Sequence, residues 1–242
     1  MALSETWLVE NLVDEKYLGQ LKKSYPNHDL DWLLLLNVDL RLLYLKHIFM
    51  IENSLKKILL RQLSMSDLQN LDGNHYLNQE HLKNLRAARR IIRSGYYKYS
   101  HNGVLKSKTL RSLFEVMSFE SILSLLETLN IDALNKITDY FGIHDFNKQQ
   151  ILFEQLNYIK DIRNYLSHNF KVLGIHFIQK GNNNYYQQDL QADNDHHYLH
   201  LLIDRFSSKS QILPSFNDDY QKLFNRYNIN NFNFTNNHNN TE

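Results

Sequence analysis

The sequence predicts an all-α protein, built as an antiparallel bundle of long helices. Turn-forming residues are scarce, with 7 Gly and 2 Pro in 242 residues. Apolar residues recur at three- and four-residue steps over long stretches, which is the spacing of one helix face. Hydrophobic residues make up 43% and charged residues 22% of the chain, a balance typical of a globular protein with a buried core.

Three helices are predicted in the first half of the chain. Residues 4 to about 25 form a short amphipathic helix that closes before Pro26. Residues 31 to about 65 carry the longest periodic pattern, and the following segment "SMSDLQNLDGNHYLNQ" breaks it with Asp72, Gly73 and Asn74. A basic helix, "EHLKNLRAARRIIRSGYYKYS", is expected to end near Gly95, and "HNG" follows as a turn.

The second half of the chain is predicted to contain shorter helices, without an internal repeat of the first half. Three further helices are predicted over "KTLRSLFEVMSFESILSLLETL", "DALNKITDYFG" and "NKQQILFEQLNYIKDIRNYLSH". The segment "FKVLGIHFI" is either a short strand or an extended connector. Two more helices, "HHYLHLLIDRF" and "FNDDYQKLFNRY", precede an asparagine-rich tail over residues 229–242 that we expect to be disordered.

Composition excludes several kinds of function. The formal charge of +1 provides no general basic field, so any nucleic-acid site must be local. The absence of Cys excludes disulfides, thiol catalysis and thiolate metal sites. The most apolar stretch contains Asp39, Arg41, Lys46 and Glu52 and is too charged to span a membrane. With no signal-peptide pattern at the N-terminus, we expect a cytoplasmic protein with no membrane partner.

One helical segment, "YIKDIRNYLSHNF", contains a polar trio within an apolar repeat. Asn164 and His168 are four residues apart and therefore share a helix face, and the long side chain of Arg163 can reach the same region. Ile162, Tyr165 and Leu166 are expected to hold the other side in the core, together with neighbouring apolar residues. The spacing thus permits a cluster of a guanidinium, an amide and an imidazole.

These three groups suit RNA cleavage. An imidazole can accept the proton of a ribose 2′-hydroxyl or protonate the leaving 5′-oxygen. A guanidinium can bind the phosphate and stabilise the charge that develops on it, and the amide can orient either neighbour. The same residues are also ordinary on the solvent-exposed face of an amphipathic helix. Spacing alone leaves both interpretations open.

The order of motifs resembles the Abi-like (abortive infection) family of the HEPN superfamily. "RNYLSH" matches the R-x-x-x-x-H signature with a polar residue after the Arg. It is preceded by "NVDLRLLYLKHIFMIENSLKKIL" and "LFEVMSFESILSLL" and is followed by "HHYLHLLIDRF" and "YQKLFNRY". The resemblance covers residues 33–228, which are predicted to form the HEPN domain, whereas residues 1–32 are predicted to be an N-terminal helical extension.

The resemblance implies a HEPN-type helical bundle, often dimeric, with ribonuclease activity in members that keep the motif. Arg163, Asn164 and His168 are then the catalytic residues. Glu52 and Lys56 match an acidic-to-basic pair of some HEPN proteins and are candidate supporting residues. An ordinary i,i+4 helix pair accounts for their spacing equally well.

A second candidate surface is the basic segment that follows residue 82. Basic side chains bind phosphate, and the interleaved tyrosines can stack on bases, so this strip is predicted to contact RNA. Its cations are Lys83, Arg86, Arg89, Arg90, Arg93, Lys98, Lys106 and Lys108. A solvated helix face explains them equally well.

No metal or cofactor is predicted. His196 and His200 have the i,i+4 spacing of paired ligands, with Asp193 and Asp195 nearby, but no third ligand stands at a diagnostic distance. No glycine-rich phosphate loop is present in the sequence. The proposed RNA chemistry needs no ion, because the nucleophile is the substrate's own hydroxyl.

The favoured interpretation is a metal-independent HEPN endoribonuclease of an abortive-infection or toxin-type system, with RNA as its partner. Because the one motif histidine of each chain cannot easily act as both acid and base, we expect a homodimer with an isologous interface. Two alternatives stay open. The chain can be a non-catalytic RNA-binding HEPN protein, or the partner half of a toxin–antitoxin pair, bound to a second protein or a non-coding RNA.

Overall fold

The computed structural model describes residues 15–62, 79–105, 109–168, 171–173, 195–207 and 215–229. Across these residues every regular element is an α-helix, which confirms the predicted all-α class. The helices are α1 (Glu15–Ser24), α2 (Leu30–Gln62), α3 (Gln79–His101), α4 (Leu110–Val116), α5 (Phe119–Leu126), α6 (Ile131–Tyr140), α7 (Lys148–His168), α8 (Asp195–Ser207) and α9 (Phe216–Arg226). Within the same ranges, none of the helices is both long enough and apolar enough to cross a membrane.

The described residues fall into two compact units. The first lies within Met1–Phe49 and Asp161–Glu242, and the second lies within Met50–Lys160. The domain limits expected from the sequence, at residues 32 and 228, stay predictions. Most of "FKVLGIHFI" and nearly all of the asparagine-rich tail lie outside the described residues.

Aromatic rings from three helices meet in the first unit. The buried Phe216 ring, at the start of α9, lies 6.0 Å from the Tyr44 ring and 5.0 Å from the His47 ring of α2. It also lies 4.8 Å from the His200 ring of α8. Ser215 caps α9, since its hydroxyl accepts a hydrogen bond from the Asp218 N–H at 3.0 Å. Burial of large rings at one point fixes α9 against α2 and α8.

A buried histidine stands beside this aromatic cluster. The side chain of His47 is fully buried, and its Nε2 lies 3.0 Å from Asp219 Oδ2, which also accepts from Lys46. The other ring nitrogen, Nδ1, is buried without a hydrogen-bond partner in the described part of the chain. Burial lowers the pKa of His47, and the hydrogen bond to Asp219 opposes this only in part. A pKa below 6.5 keeps His47 neutral at pH 7, and a neutral ring can bond the Asp219 carboxylate only by donating an Nε2 proton.

In the second unit, caps decide where the short helices begin. Ser118 caps α5 by accepting from the Ser121 N–H, and both Met117 and Ser118 have extended backbone angles. The single helix predicted over "KTLRSLFEVMSFESILSLLETL" is therefore two helices, α4 and α5. Asn130 caps α6 in the same way. The polar capping residues override the continuous apolar pattern because each satisfies a helix-end N–H.

Gly95 does not end α3, which runs on to His101. A Cβ atom at this position would lie 3.0 Å from Leu113 Cδ1 of α4. The glycine allows close helix packing, and the sequence-based expectation of a helix end there was wrong.

The neutral state of His47 predicts acid lability. Between the lowered pKa of folded His47 and its ordinary value of 6.5, the unfolded chain binds a proton that the folded chain does not. The free energy of unfolding should therefore fall as pH decreases below about 6.5, by at most about 1.4 kcal/mol per pH unit. Urea unfolding between pH 7 and pH 5 measures this slope.

His47→Gln retains a donor for Asp219 but does not titrate. The slope of its unfolding free energy against pH should therefore be shallower than that of the wild type. Some slope should persist, because burial also lowers the pKa of His200. Equal slopes for wild type and His47→Gln would contradict the prediction.

Candidate functional site

The C-terminal part of α7 has one buried and one exposed side. Ile162 and Leu166 are buried, as the apolar spacing predicted. Tyr165 is half-buried, and burial raises its pKa. Asn164 and His168 are exposed and Arg163 is half-buried. The apolar residues thus anchor the helix and leave the polar trio accessible to a ligand.

Two of the three motif residues are in contact. Arg163 Nη1 donates to Asn164 Oδ1 at 3.2 Å, and the Ser167 hydroxyl donates to the Arg163 carbonyl oxygen at 2.7 Å. A guanidinium has five N–H donors, and the bond to Asn164 uses one of them. Asn164 therefore restrains the planar cation while other donors remain suited to a phosphate.

His168 is the last residue of α7. It follows Asn164 by four residues on an exposed part of the helix, so its imidazole can approach a ligand held by the guanidinium. The structure joins Arg163 and Asn164 by a hydrogen bond and places His168 one turn beyond them.

Arg41 of α2 caps the end of α7. Its Nε donates to the Leu166 carbonyl oxygen at 2.6 Å, and its Nη2 lies 3.4 Å from the Ser167 carbonyl oxygen. The last carbonyl groups of a helix lack partners within the helix, so a cationic donor there satisfies them and opposes the negative end of the helix dipole. Arg41 thereby fixes the backbone immediately before His168.

Asn37, one turn before Arg41, holds the chain beyond His168. Its buried Oδ1 accepts from the Val172 N–H at 2.7 Å and from the Leu173 N–H at 3.0 Å. The Tyr17 hydroxyl lies 2.9 Å from the same oxygen and 3.0 Å from the Leu173 carbonyl oxygen, and its single proton can be donated to one of the two at a time. The backbone is thus fixed on both sides of residues 168–171.

The sequence pattern did not assign a role at the site to Asn37 or Arg41. One available signal was the position of Asn37, which continues the apolar spacing of Leu33, Leu40 and Tyr44 and is therefore on the buried side of α2. A buried amide must find hydrogen-bond partners, and these prove to be the backbone after the motif. The sequence could not identify that partner segment, which lies 135 positions away.

Glu52 and Lys56 form an ion pair, with 2.8 Å between Lys56 Nζ and Glu52 Oε1. Both residues are buried, in contrast to the exposed pair that i,i+4 spacing usually indicates. Breaking a buried pair leaves an uncompensated charge, so each partner requires the other. They belong to the second unit, and their supporting role in catalysis stays a prediction.

The basic strip separates into distinct sides of α3. Ala88 and Ile92 are buried, and Arg86, Arg90 and Arg93 are exposed. Lys98 is exposed with its Nζ 5.4 Å from the centre of the Tyr99 ring. Arg89 is half-buried. Lys83, Lys106 and Lys108 lie outside the described side chains.

An aromatic pair continues the row of exposed arginines. The Tyr97 ring is stacked on the His101 ring, with 5.8 Å between centroids and 8° between planes. Tyr97 follows Arg93 by four residues, and Arg93 follows Arg90 by three, so these side chains share a helix face. We call Arg86, Arg90, Arg93, Tyr97 and His101 the arginine face.

The two histidines of α8 occupy a packed environment. His200 Nε2 lies 2.6 Å from Asn217 Oδ1, and its ring contacts Phe216 and Tyr220. His196 is buried, and Asp193 lies outside the described residues. In the part of the chain that the structure describes, no group of three side chains is arranged to hold a metal ion.

Removing the Arg41 cap should destabilise the protein. Arg41→Met keeps the length of the side chain but loses the donors to Leu166 and Ser167, so unfolding free energy should fall by about 1–2 kcal/mol. The unfolding free energy of Arg41→Lys should lie between those of the wild type and Arg41→Met, because lysine keeps the charge but lacks the planar guanidinium. Arg111→Met, at an exposed position, is the control. Equal urea midpoints for Arg41→Met and wild type would show that the cap contributes nothing.

A family model described as Abi-like protein matches residues 17–173. No curated protein and no solved structure matches the chain. The matched range includes the motif on α7 as well as the two residues of α2 that hold it, Asn37 and Arg41. Since the match covers more than half of the 242 residues, the chain belongs to the Abi-like protein family.

Proposed function

We propose that this chain is a metal-independent endoribonuclease of the HEPN type. Membership of the Abi-like family implies a role in abortive-infection defence. The observation that carries the proposal is the accessible trio of Arg163, Asn164 and His168 at the end of α7, held by buried apolar neighbours and by the Arg41 cap. A rigid support behind accessible polar groups is what a catalytic site requires.

The proposed reaction is transesterification within the RNA chain. The ribose 2′-oxygen attacks the adjacent phosphorus, a bond forms between them, and the bond from phosphorus to the 5′-oxygen breaks. One imidazole accepts the 2′-hydroxyl proton, and an imidazolium donates a proton to the leaving 5′-oxygen. Arg163 binds the phosphate oxygens as their charge increases, and Asn164 orients Arg163. The products carry a 2′,3′-cyclic phosphate and a 5′-hydroxyl.

One chain provides one motif histidine, whereas the reaction uses a base and an acid. Two copies of the chain related by a two-fold axis provide both, with His168 from each copy. We therefore propose that the active species is a homodimer.

A second candidate function is RNA binding without cleavage. The arginine face supports it, because Arg86, Arg90, Arg93 and an exposed Tyr97 suit a nucleic-acid backbone and its bases irrespective of the motif. In that case the motif on α7 holds a regulatory RNA. The two functions differ in whether RNA is broken.

Removing the side chain of either Arg163 or His168 should abolish cleavage while leaving the fold intact. His168→Ala and Arg163→Ala should slow the cleavage of a single-stranded RNA by roughly 10²–10⁴, because each removes a proton-transfer or phosphate-binding group. Unfolding free energy should change by no more than about 0.5 kcal/mol for exposed His168. Gel assays with end-group analysis measure cleavage and its products.

His144→Ala, which removes an exposed histidine outside the motif, should cleave like the wild type. EDTA should not inhibit cleavage. Chelator-sensitive cutting that leaves 5′-phosphates would point to a metal-dependent nuclease, and RNA binding without cleavage by the wild type would favour the second candidate function.

The arginine face should bind RNA with salt-dependent affinity. Reversing two charges, in Arg90→Glu with Arg93→Glu, should weaken binding and reduce the slope of log affinity against log salt by about 1.4, since each lost phosphate contact on a single strand removes about 0.7. Fluorescence anisotropy at several salt concentrations measures both quantities. The matched control, Arg111→Glu with Lys136→Glu, reverses two exposed charges elsewhere. An unchanged slope in the first double variant would make this face an ordinary solvated surface.

A further inference from the structure

One side of α2 carries a row of exposed apolar residues. Leu35, Leu42 and Phe49 follow one another at seven-residue intervals and are 43%, 55% and 61% exposed. Val38 and Leu45 are half-buried between them. These five residues, which we call the α2 stripe, occupy the a and d positions of a heptad repeat and extend about 21 Å along the helix. Such a seam is typical of a helix that packs against another helix.

Different elements flank the stripe on its two sides. Arg41, at a g position of this repeat, reaches the carbonyl groups at the end of α7, so the motif lies on that side. Asp39 and Lys46, at e positions, form the other side. Asp39 Oδ2 accepts from Arg226 Nη1 at 3.0 Å, and Lys46 pairs with Asp219, so α9 lies there. The exposed stripe thus lies between the motif and α9.

We propose that a second copy of this chain covers the α2 stripe, with the two α2 helices antiparallel and a two-fold axis passing beside Leu42. The proposal rests on the proposed function, because it identifies the surface that completes the site. In this register Leu42 faces Leu42 of the second copy, and Leu35 faces Phe49 of the second copy. The α2 stripe of each copy is then covered along its length by the α2 stripe of the other copy, as an isologous interface requires.

Charge complementarity selects the antiparallel orientation. In an antiparallel pair, e positions face e positions. Asp39 lies three residues before Leu42 and Lys46 lies four residues after it, so Asp39 of one copy and Lys46 of the other differ in height by about 1.5 Å. Beside their ion pairs with α9, the side chain of Lys46 is still 45% exposed and that of Asp39 is still 27% exposed, so each can share its charge with a second partner. Opposite charges therefore meet twice, once on each side of the axis.

The same orientation brings the two motifs together. In an antiparallel pair g positions also face g positions, so Arg41 and the α7 end that it caps lie on the same side of the pair in both copies. With helix axes about 8–10 Å apart, the two ends of α7 become neighbours. A parallel pair would place the motifs on opposite sides. Only the antiparallel pair supplies two His168 imidazoles to one groove.

The first test uses the full chain and a charged substitution on the axis. Leu42→Glu would set two carboxylates opposite each other, so it should sediment at the 29.0 kDa chain mass at micromolar concentrations where the wild type sediments at twice that mass. Ile131→Glu is the matched control, since Ile131 is 59% exposed in α6 outside the stripe, and it should remain dimeric. A monomeric wild type, or a Leu42→Glu dimer, overturns the proposal.

The second test uses the absence of natural cysteines to determine orientation. Leu42→Cys should cross-link to itself with a short bismaleimide. Phe49→Cys alone should not, because the two copies of residue 49 would lie about 21 Å apart along the helix axis. A mixture of Leu35→Cys and Phe49→Cys chains should cross-link. Self-cross-linking of Phe49→Cys would indicate a parallel pair and overturn the proposed arrangement.

Measuring both the sedimentation mass and RNA cleavage distinguishes a failure of this interface from a failure of the proposed ribonuclease activity. If the wild type forms a dimer that Leu42→Glu abolishes, but does not cleave RNA, the proposed interface is supported and the proposed ribonuclease activity is wrong. Cleavage by a wild-type monomer supports the ribonuclease and overturns the interface. If the interface and the ribonuclease activity are both correct, Leu42→Glu should be monomeric and should no longer cleave RNA. Mixed dimers of His168→Ala and wild-type chains should also be inactive.

Discussion

The backbone around His168 is fixed by two side chains that lie one turn apart on α2. Arg41 satisfies carbonyl groups at the end of α7, and Asn37 satisfies the N–H groups of Val172 and Leu173. Helix ends leave backbone groups without partners, and burying such groups without a hydrogen bond is costly. The two contacts remove that cost at the point where the chain leaves the helix. The position of the motif histidine depends on them.

Each side of the α2 helix makes a different kind of contact. Fully buried residues such as Leu40 and Tyr44 form core, and Tyr44 contacts the ring of Phe216. Asn37 and Arg41 bind the chain on either side of the motif. Asp39 and Lys46 bind α9 by ion pairs. The remaining side is apolar and exposed, and no packing within the described residues accounts for it. This division explains why a helix so rich in leucine also carries regularly spaced polar residues.

The proposed chemistry uses accessible groups on a restrained support. Ile162 and Leu166 anchor α7 through buried apolar side chains, so Arg163 and His168 need not contribute to the core and are available to a substrate. The hydrogen bond from Arg163 to Asn164 restrains the cation in advance of a phosphate, which reduces the ordering cost of binding. The buried pair of Glu52 and Lys56 and the exposed arginine face of α3 belong to the second unit.

The sequence by itself determined the all-α class, the long α2 and α7 helices and the exposed polar face with its buried counterpart, because these follow from the periodicity of apolar residues. The order of motifs along the chain was also sufficient to indicate the family. The glycine at position 95 was misinterpreted as a helix end, whereas it allows α3 to pack close to Leu113, and periodicity missed the cap at Ser118 that divides one apolar run into two helices. Only the tertiary structure showed that Asn37 and Arg41 bind the chain around His168, or that Leu35, Leu42 and Phe49 remain exposed. Partners more than a hundred residues apart are chosen by packing, which local spacing does not encode.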